Sequence, residues 1–277
     1  MSSNPVLGRD PWRQDAAASP YQGQYAAGGW QTPSTQPQWG QPQYTPDAYT
    51  VPAATDRMTV DDVVMKTLAL LGVVLVTGAL SWKLLPQALA PFALFGALGV
   101  GLVLGLVISF KRVTNPVLIM AYAAVEGVLL GQISKYYENA YNGIVLQAVV
   151  ATFAVFAGMA ALYRFRIIRA TPKFTKWLLG AMFGVIGLML INFLLSVFNV
   201  NGGQGLGLRS GGPLAIVFSL ICIGVAALTF IQDFAVVEEG VARGVERRFG
   251  WFAGFGILVG LVWLYLEILR LLSYLRR

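Results

Sequence analysis

The 277 residues contain no histidine, one cysteine and only 12% charged side chains, and each shortage removes a class of chemistry. Without histidine there can be no serine-histidine relay and no imidazole-ligated zinc of the kind that seven-helix membrane hydrolases use. A proton switch in this chain has to be built from carboxylates. Cys222, being alone, cannot close an internal disulfide. A charged fraction about half the soluble norm of about 25%, beside 56% hydrophobic residues, excludes an ordinary soluble domain and points to a membrane protein. The chain also opens without a basic stretch followed by a short apolar run, so no cleaved signal peptide is expected.

What is present is a series of apolar runs close to the roughly 20 residues that cross a bilayer core. They fall at 63–82, 90–110, 117–136, 144–163, 177–198, 213–234 and 252–275. The runs are continuous rather than alternating, which favours helices over a barrel, because in hydrocarbon each segment must satisfy its own amides. The expected fold is an all-α membrane protein, a seven-transmembrane-helix bundle over residues 58–277. Residues 1–57 include "YQGQYAAGGWQTPSTQPQWGQPQYTPDAYT", a Gln, Pro and Gly mixture without period, and are expected to form a disordered cytoplasmic tail. "TVDD", from Thr59 to Asp62, marks the start of the fold with an N-cap candidate and two first-turn carboxylates.

Lys and Arg in short loops are retained in the cytoplasm. One set of loops holds Arg57, Lys66, Lys111, Arg112, the basic cluster from Arg164 to Lys176, and Arg243, Arg247 and Arg248. The facing set holds Lys83, Lys135 and Arg209. This bias predicts a plasma-membrane protein with its N-terminus in the cytoplasm. Arg276 and Arg277 then fall outside, against the bias, which leaves open six spans plus a re-entrant segment with both termini inside. The net charge of +7 is mostly this loop bias. It suits anionic lipid headgroups, and nucleic acid is not an expected partner.

Three carboxylates fall at membrane depth: Glu126, Asp233 and Glu267. An uncompensated charge there costs roughly 2.5 to 3.5 kcal/mol on insertion scales, so such groups face the bundle interior and mark pathways. Counting back from Asp233 at helical spacing meets Thr229, Ala226, Cys222, Ser219 and Ala215. Counting from Glu267 meets Trp263, Gly260 and Gly256 behind it, with Arg270 and Tyr274 ahead. Both acids therefore lie on packing faces, and Gly256 with Gly260 is a small-xxx-small pair that admits a neighbouring helix. Plainer readings stand beside the functional ones. Glu267 can form an i,i+3 ion pair with Arg270, Asp233 can sit at a solvated helix end, and Glu126 can be a structural hydrogen-bonding group. Gln132 and Asn192 read as interhelical bonds. The glycines of "FGALGVGLVLG" and "LLGAMFGVIG" read as packing devices, and no strand precedes the former to make it a phosphate loop.

The closing segment "LVWLYLEILRLLSYL" resembles the last helix of the Bax inhibitor-1 (transmembrane Bax inhibitor motif) family, with "AAVEGVLLG" and "FIQDFAVVEEG" as supporting matches in order. "SSNPVLGR" near the start looks like a bacterial branch with a long N-terminal tail. The resemblance covers residues 58–277. It implies a central last helix and a proton-sensitive calcium leak governed by two acids, which fall on Asp233 and Glu267, with calcium as the transported ion and no tightly bound cofactor. It also implies a basic latch at the cytoplasmic end of the second helix, at Lys111 or Arg112. Glu126, Glu238 and Arg270 are secondary candidates. The chain departs from the family in carrying Glu267 where an Asp is usual, and in lacking a second-helix acid. Two buried carboxylates close together would share a proton, because like charge and desolvation both oppose double ionisation. Calcium, which prefers oxygen ligands, would compete for the same place.

A rival class is a non-transporting membrane protein that regulates a membrane protease or a stress response through protein contacts. No enzyme is expected: only an aspartyl membrane protease is chemically open, and the motifs that surround its acids are missing. With Cys222 replaced, single cysteines placed beside Arg169 should be shielded in intact cells from an impermeant thiol reagent, and those beside Gly205 labelled. Labelling at Arg169 would overturn the orientation.

Overall fold

Hydropathy decides where the helices lie, and local capping decides where they begin. In the computed structural model, which describes residues 56–276, Thr59 caps α1 (Val60–Leu84) by accepting from the Asp62 amide at 3.1 Å. After one 3-10 turn comes α2 (Ala90–Lys111). α3 (Pro116–Ala140) and α5 (Pro172–Val197) each open on proline behind a capping side chain, Asn115 and Thr171 respectively. α6 (Pro213–Ala242) opens on proline as well, a residue whose fixed φ and missing N–H suit a first helical position. α4 (Ile144–Arg164) and α7 (Phe249–Leu275) complete the set. All seven are long and apolar enough to cross a membrane, and no strand occurs among the described residues. α7 is one unbroken helix rather than a re-entrant pair. The disordered tail expected for 1–57 lies outside the described residues except for Asp56 and Arg57.

The largest departures from the hydropathy reading are in α5 and α6. α5 begins at Pro172 rather than 177, and α6 continues past 234 to Ala242. The added turns of α6 read AVVEEGVA, and the adjacent Glu238 and Glu239 interrupt the apolar run there. An i,i+4 ion pair between Glu239 and Arg243 at 2.5 Å spans its last turn. The segment entering α1 docks on the turn that follows α6: the Met58 amide donates to the Val245 carbonyl at 2.8 Å, and Arg247 pairs with Asp62 at 2.8 Å.

α7 is the hub. In its most apolar stretch 67% of residues are buried, against 11 to 22% in α1, α2, α4 and α5, and it packs on α1, α3, α4 and α6. The most intimate pairing is α1 with α3. A Cβ at Gly127 would come within 2.6 Å of the Val74 carbonyl oxygen, and one at Gly131 would overlap Gly78. The Gln132 amide locks this pair by donating to the Ser81 carbonyl at 2.9 Å and hydroxyl at 2.7 Å, the interhelical role expected of it. The glycines expected to pack α2 and α5 behave otherwise. Gly96, Gly99, Gly180, Gly184 and Gly187 meet nothing within 4 Å, and only Gly101 and Gly105 of that group face α3.

Gly131→Val should therefore destabilise the bundle by about 1–3 kcal/mol, the usual cost of overpacking, seen as a lower Tm in detergent. Gly99→Val, in open space, should leave Tm nearly unchanged. Equal Tm values for the two variants would count against the α1–α3 contact.

Candidate functional site

The seam between α6 and α7 carries the two acids singled out by spacing. The α6 stripe behind Asp233 is buried as its small residues imply: Ala215, Ser219, Cys222 and Ala226 are all at or below 1% exposure. Asp233 itself stands well inside α6, because the helix runs on to Ala242, so it is not a solvated helix end. Its Oδ1 lies 3.5 Å from where a Cβ of Gly256 would be, and its Oδ2 is buried without a hydrogen-bond partner. One turn earlier, Phe230 fills the notch left by Gly260 and meets Phe156 of α4 edge to face, with ring centroids 5.0 Å apart. The small-xxx-small pair of α7 thus seats one aromatic ring and one carboxylate of α6.

Glu267 lives in a different environment. Its side chain is 3% exposed, and Oε1 accepts from Arg270 at 2.6 Å and from Arg209 at 3.5 Å, while Oε2 has no partner. The i,i+3 pair with Arg270 is the plain reading of the sequence. Arg209 is an addition, delivered by the glycine-rich loop between α5 and α6. That loop is held down by Asn192, whose Oδ1 accepts from the Leu206 amide at 3.0 Å, and by Ser196, whose hydroxyl bonds the Gly203 carbonyl. Asn192 therefore serves a loop rather than a neighbouring helix.

The structure does not bring Asp233 and Glu267 together as a pair. The position of α7 that faces Asp233 is Gly256, and Glu267 comes eleven residues later (267 − 256), about 16 Å further along at 1.5 Å per residue. Neither direct contact nor a single bridging water spans that distance. The expected latch is likewise not formed. Lys111 and Arg112 are exposed at the end of α2, which packs chiefly on α3, and neither makes an ion pair among the described residues. Arg112 instead closes α2 in the left-handed conformation, φ 47°.

The secondary candidates are dispersed. Glu126 accepts from Tyr122 of its own helix at 2.8 Å, its Oε2 is buried and unpartnered, and it faces Gly101 of α2. Glu238 is exposed and accepts a short hydrogen bond from the Tyr163 hydroxyl. It borders a cavity of about 700 Å³ with Arg164, Arg166, Arg169 and Phe234. At the opposite end, a cavity of about 340 Å³ is lined by Asn192, Ser196, Gln204 and Arg209. Among the described residues no three acidic or cysteine side chains stand close enough to hold one metal ion between them. The residue that sequence reasoning missed is Arg209. In the sequence its charge bears only on topology, and the fold of its loop turns it inward onto Glu267.

These features can now be set beside known proteins. A family model described as Bax inhibitor 1 like matches residues 4–277, taking in the N-terminal segment as well as the bundle. No individual curated protein matches the chain. A seven-helix membrane bundle around a buried last helix is what the closing motif led one to expect, and the chain belongs to the Bax inhibitor 1 like family.

Proposed function

We propose that this chain is a proton-responsive cation leak of the plasma membrane, with calcium as its cargo and the α6–α7 seam as its path. The observation that carries the reading is Asp233, a carboxylate with one oxygen buried and unpartnered, set against the bare backbone of Gly256 inside the bundle. Ionised there, it needs a partner that no neighbouring side chain supplies, at a cost of roughly several kcal/mol. A proton or a passing cation meets that need, and each excludes the other. With no histidine in the chain, carboxylates are the natural carriers of a pH response near neutrality.

Glu267 takes a different part from the one expected of a paired acid. With Arg209 and Arg270 both on Oε1 it is charge-compensated, and it closes the outer end of the seam. Arg209 lines the outer cavity of about 340 Å³ and Phe234, the residue after Asp233, lines the inner cavity of about 700 Å³, and no residue of α7 lines either. Phe230 fills the seam at Gly260, which suits a closed conformation. Three arginines around the inner cavity disfavour a resting cation, and that favours a slow leak over a fast channel. No covalent chemistry is assigned to the chain.

Reconstituted in liposomes loaded with a calcium indicator, the protein should pass calcium with a pH-dependent rate. Asp233→Asn should flatten that dependence rather than scale the flux. Arg209→Gln should raise the flux several-fold at each pH by loosening the outer closure. An unchanged pH profile in a folded Asp233→Asn protein rejects the carboxylate gate. No flux from the wild type at any pH would replace the leak with a non-transporting regulator that acts through protein contacts.

A further inference from the structure

The bundle is open between α1 and α4. α1 packs on α3 and α7, and α4 packs on α6 and α7, but the two barely touch each other. A crevice runs between them with α3 and α7 as its floor. Its volume is about 280 Å³, nearly twice the roughly 150 Å³ of an apolar cavity that stays dry and takes up benzene. The walls are apolar, formed by Leu71, Leu75 and Ala79 of α1, Val149 and Phe153 of α4, and Val262 of α7. The hydroxyls in the lining are already satisfied. The Ser134 and Tyr265 hydroxyls lie 2.7 Å apart, and Thr152 donates to the Ala148 carbonyl at 2.7 Å. Nothing in the crevice calls for water. Its rim is continuous with the outer surface of the bundle, since Leu75 is 62% and Phe153 45% exposed.

The crevice also has a direction. Trp82 closes the end where α1 finishes, and Lys135 donates from Nζ to the Trp82 carbonyl at 2.9 Å. Lys83 is exposed beside it. Neither lysine makes an ion pair with a carboxylate of the described residues. Glu138, the acid of this end, is occupied by the Gly143 and Val145 amides at the start of α4, at 2.5 and 3.1 Å. From Trp82 to Leu71 the α1 wall covers eleven residues, about 16 Å of rise. That is the depth of one leaflet, half of a hydrocarbon core about 30 Å thick.

We infer that this crevice is a binding site for one anionic phospholipid. Its phosphate lies with Lys135 and Lys83, and one acyl chain runs down α1 as far as Leu71. The four observations agree on that occupant: an apolar slot, a lateral opening into the bilayer, a length of one leaflet, and two lysines without acidic partners at the headgroup end. A soluble apolar ligand would need no lysines, and a water-filled vestibule would need polar walls. The bound chain would touch Leu258, Leu261 and Tyr265, placing lipid against the central helix. This site stands independently of the leak proposed above.

Native mass spectrometry of the full chain in detergent with added palmitoyl-oleoyl phosphatidylglycerol tests the site. The wild type should retain one lipid, and hold it more tightly than the matching phosphatidylcholine. Val149→Trp, which fills the crevice from α4, should lose the adduct while keeping its helical circular dichroism. Ala79→Phe fills it from α1 and serves if the first variant fails to fold. Lys135→Gln should keep a lipid but lose about fivefold of the preference for the anionic headgroup. No adduct in the wild type, or an adduct retained by either folded filled variant, overturns the site. If neither filled variant folds, Lys135→Gln decides alone, and an unchanged headgroup preference overturns the site. A lipid-free wild-type dimer that Val149→Trp splits also overturns it, because the crevice then receives a second copy of the chain.

Discussion

A charge placed inside a bilayer must find its partner within the protein, because hydrocarbon offers none. The three deep carboxylates of this chain meet that demand in three ways. Glu267 draws in two arginines, one from its own helix and one from a loop that folds back to reach it. Glu126 accepts the hydroxyl of Tyr122 a turn away and leaves its other oxygen bare. Asp233 has an oxygen with no partner at all, and rests on glycine. All three keep one oxygen unpartnered, and the gradation lies in what the other oxygen receives: two guanidinium groups, a hydroxyl or no hydrogen bond.

Packing supplies the frame in which that gradation persists. Lipid tails are as apolar as leucine, so helices in a membrane associate through close fit rather than through escape from water. Here the closest fit is between α1 and α3, where glycines bring two backbones into contact and Gln132 ties them to Ser81. α7 is then held between that pair on one side and α4 with α6 on the other. Of its own glycines, Gly256 and Gly260 face α6 at Asp233 and Phe230, while Gly250 and Gly254 face Lys66 and Thr67 of α1. Small residues in this chain thus mark two distinct uses: one pair of helices is fastened, and another is given a notch.

Much of the fold was legible because a bilayer imposes a length and a polarity that can be counted. The seven runs, the cap at Thr59 and the buried face behind Asp233 followed from spacing alone. The turns of α6 beyond 234 did not, because Glu238 and Glu239 interrupt the apolar run while the helix continues through them. The pairing of Asp233 with Glu267, implied by the resemblance, is not formed. Both acids lie on inward faces, but a face says nothing of height, and the antiparallel crossing sets Gly256 opposite Asp233. The glycine-rich runs of α2 and α5 misled for a related reason: composition shows that a helix could admit a neighbour, while the neighbour's presence depends on the whole arrangement. Arg209 was hidden in a loop whose path depends on bonds from Asn192 and Ser196.

α6 has 30 residues, about 45 Å of helix at 1.5 Å per residue, whereas the hydrocarbon core is about 30 Å thick. It has to tilt, project, or do both. Its far end is where the chain entering the bundle is fastened, through Met58 on Val245 and Arg57 beside Glu246. Asp233 stands part of the way along this rod, and the strap is fastened just beyond its tip. One rigid helix thus carries both the attachment of the entering chain and the carboxylate that rests on Gly256.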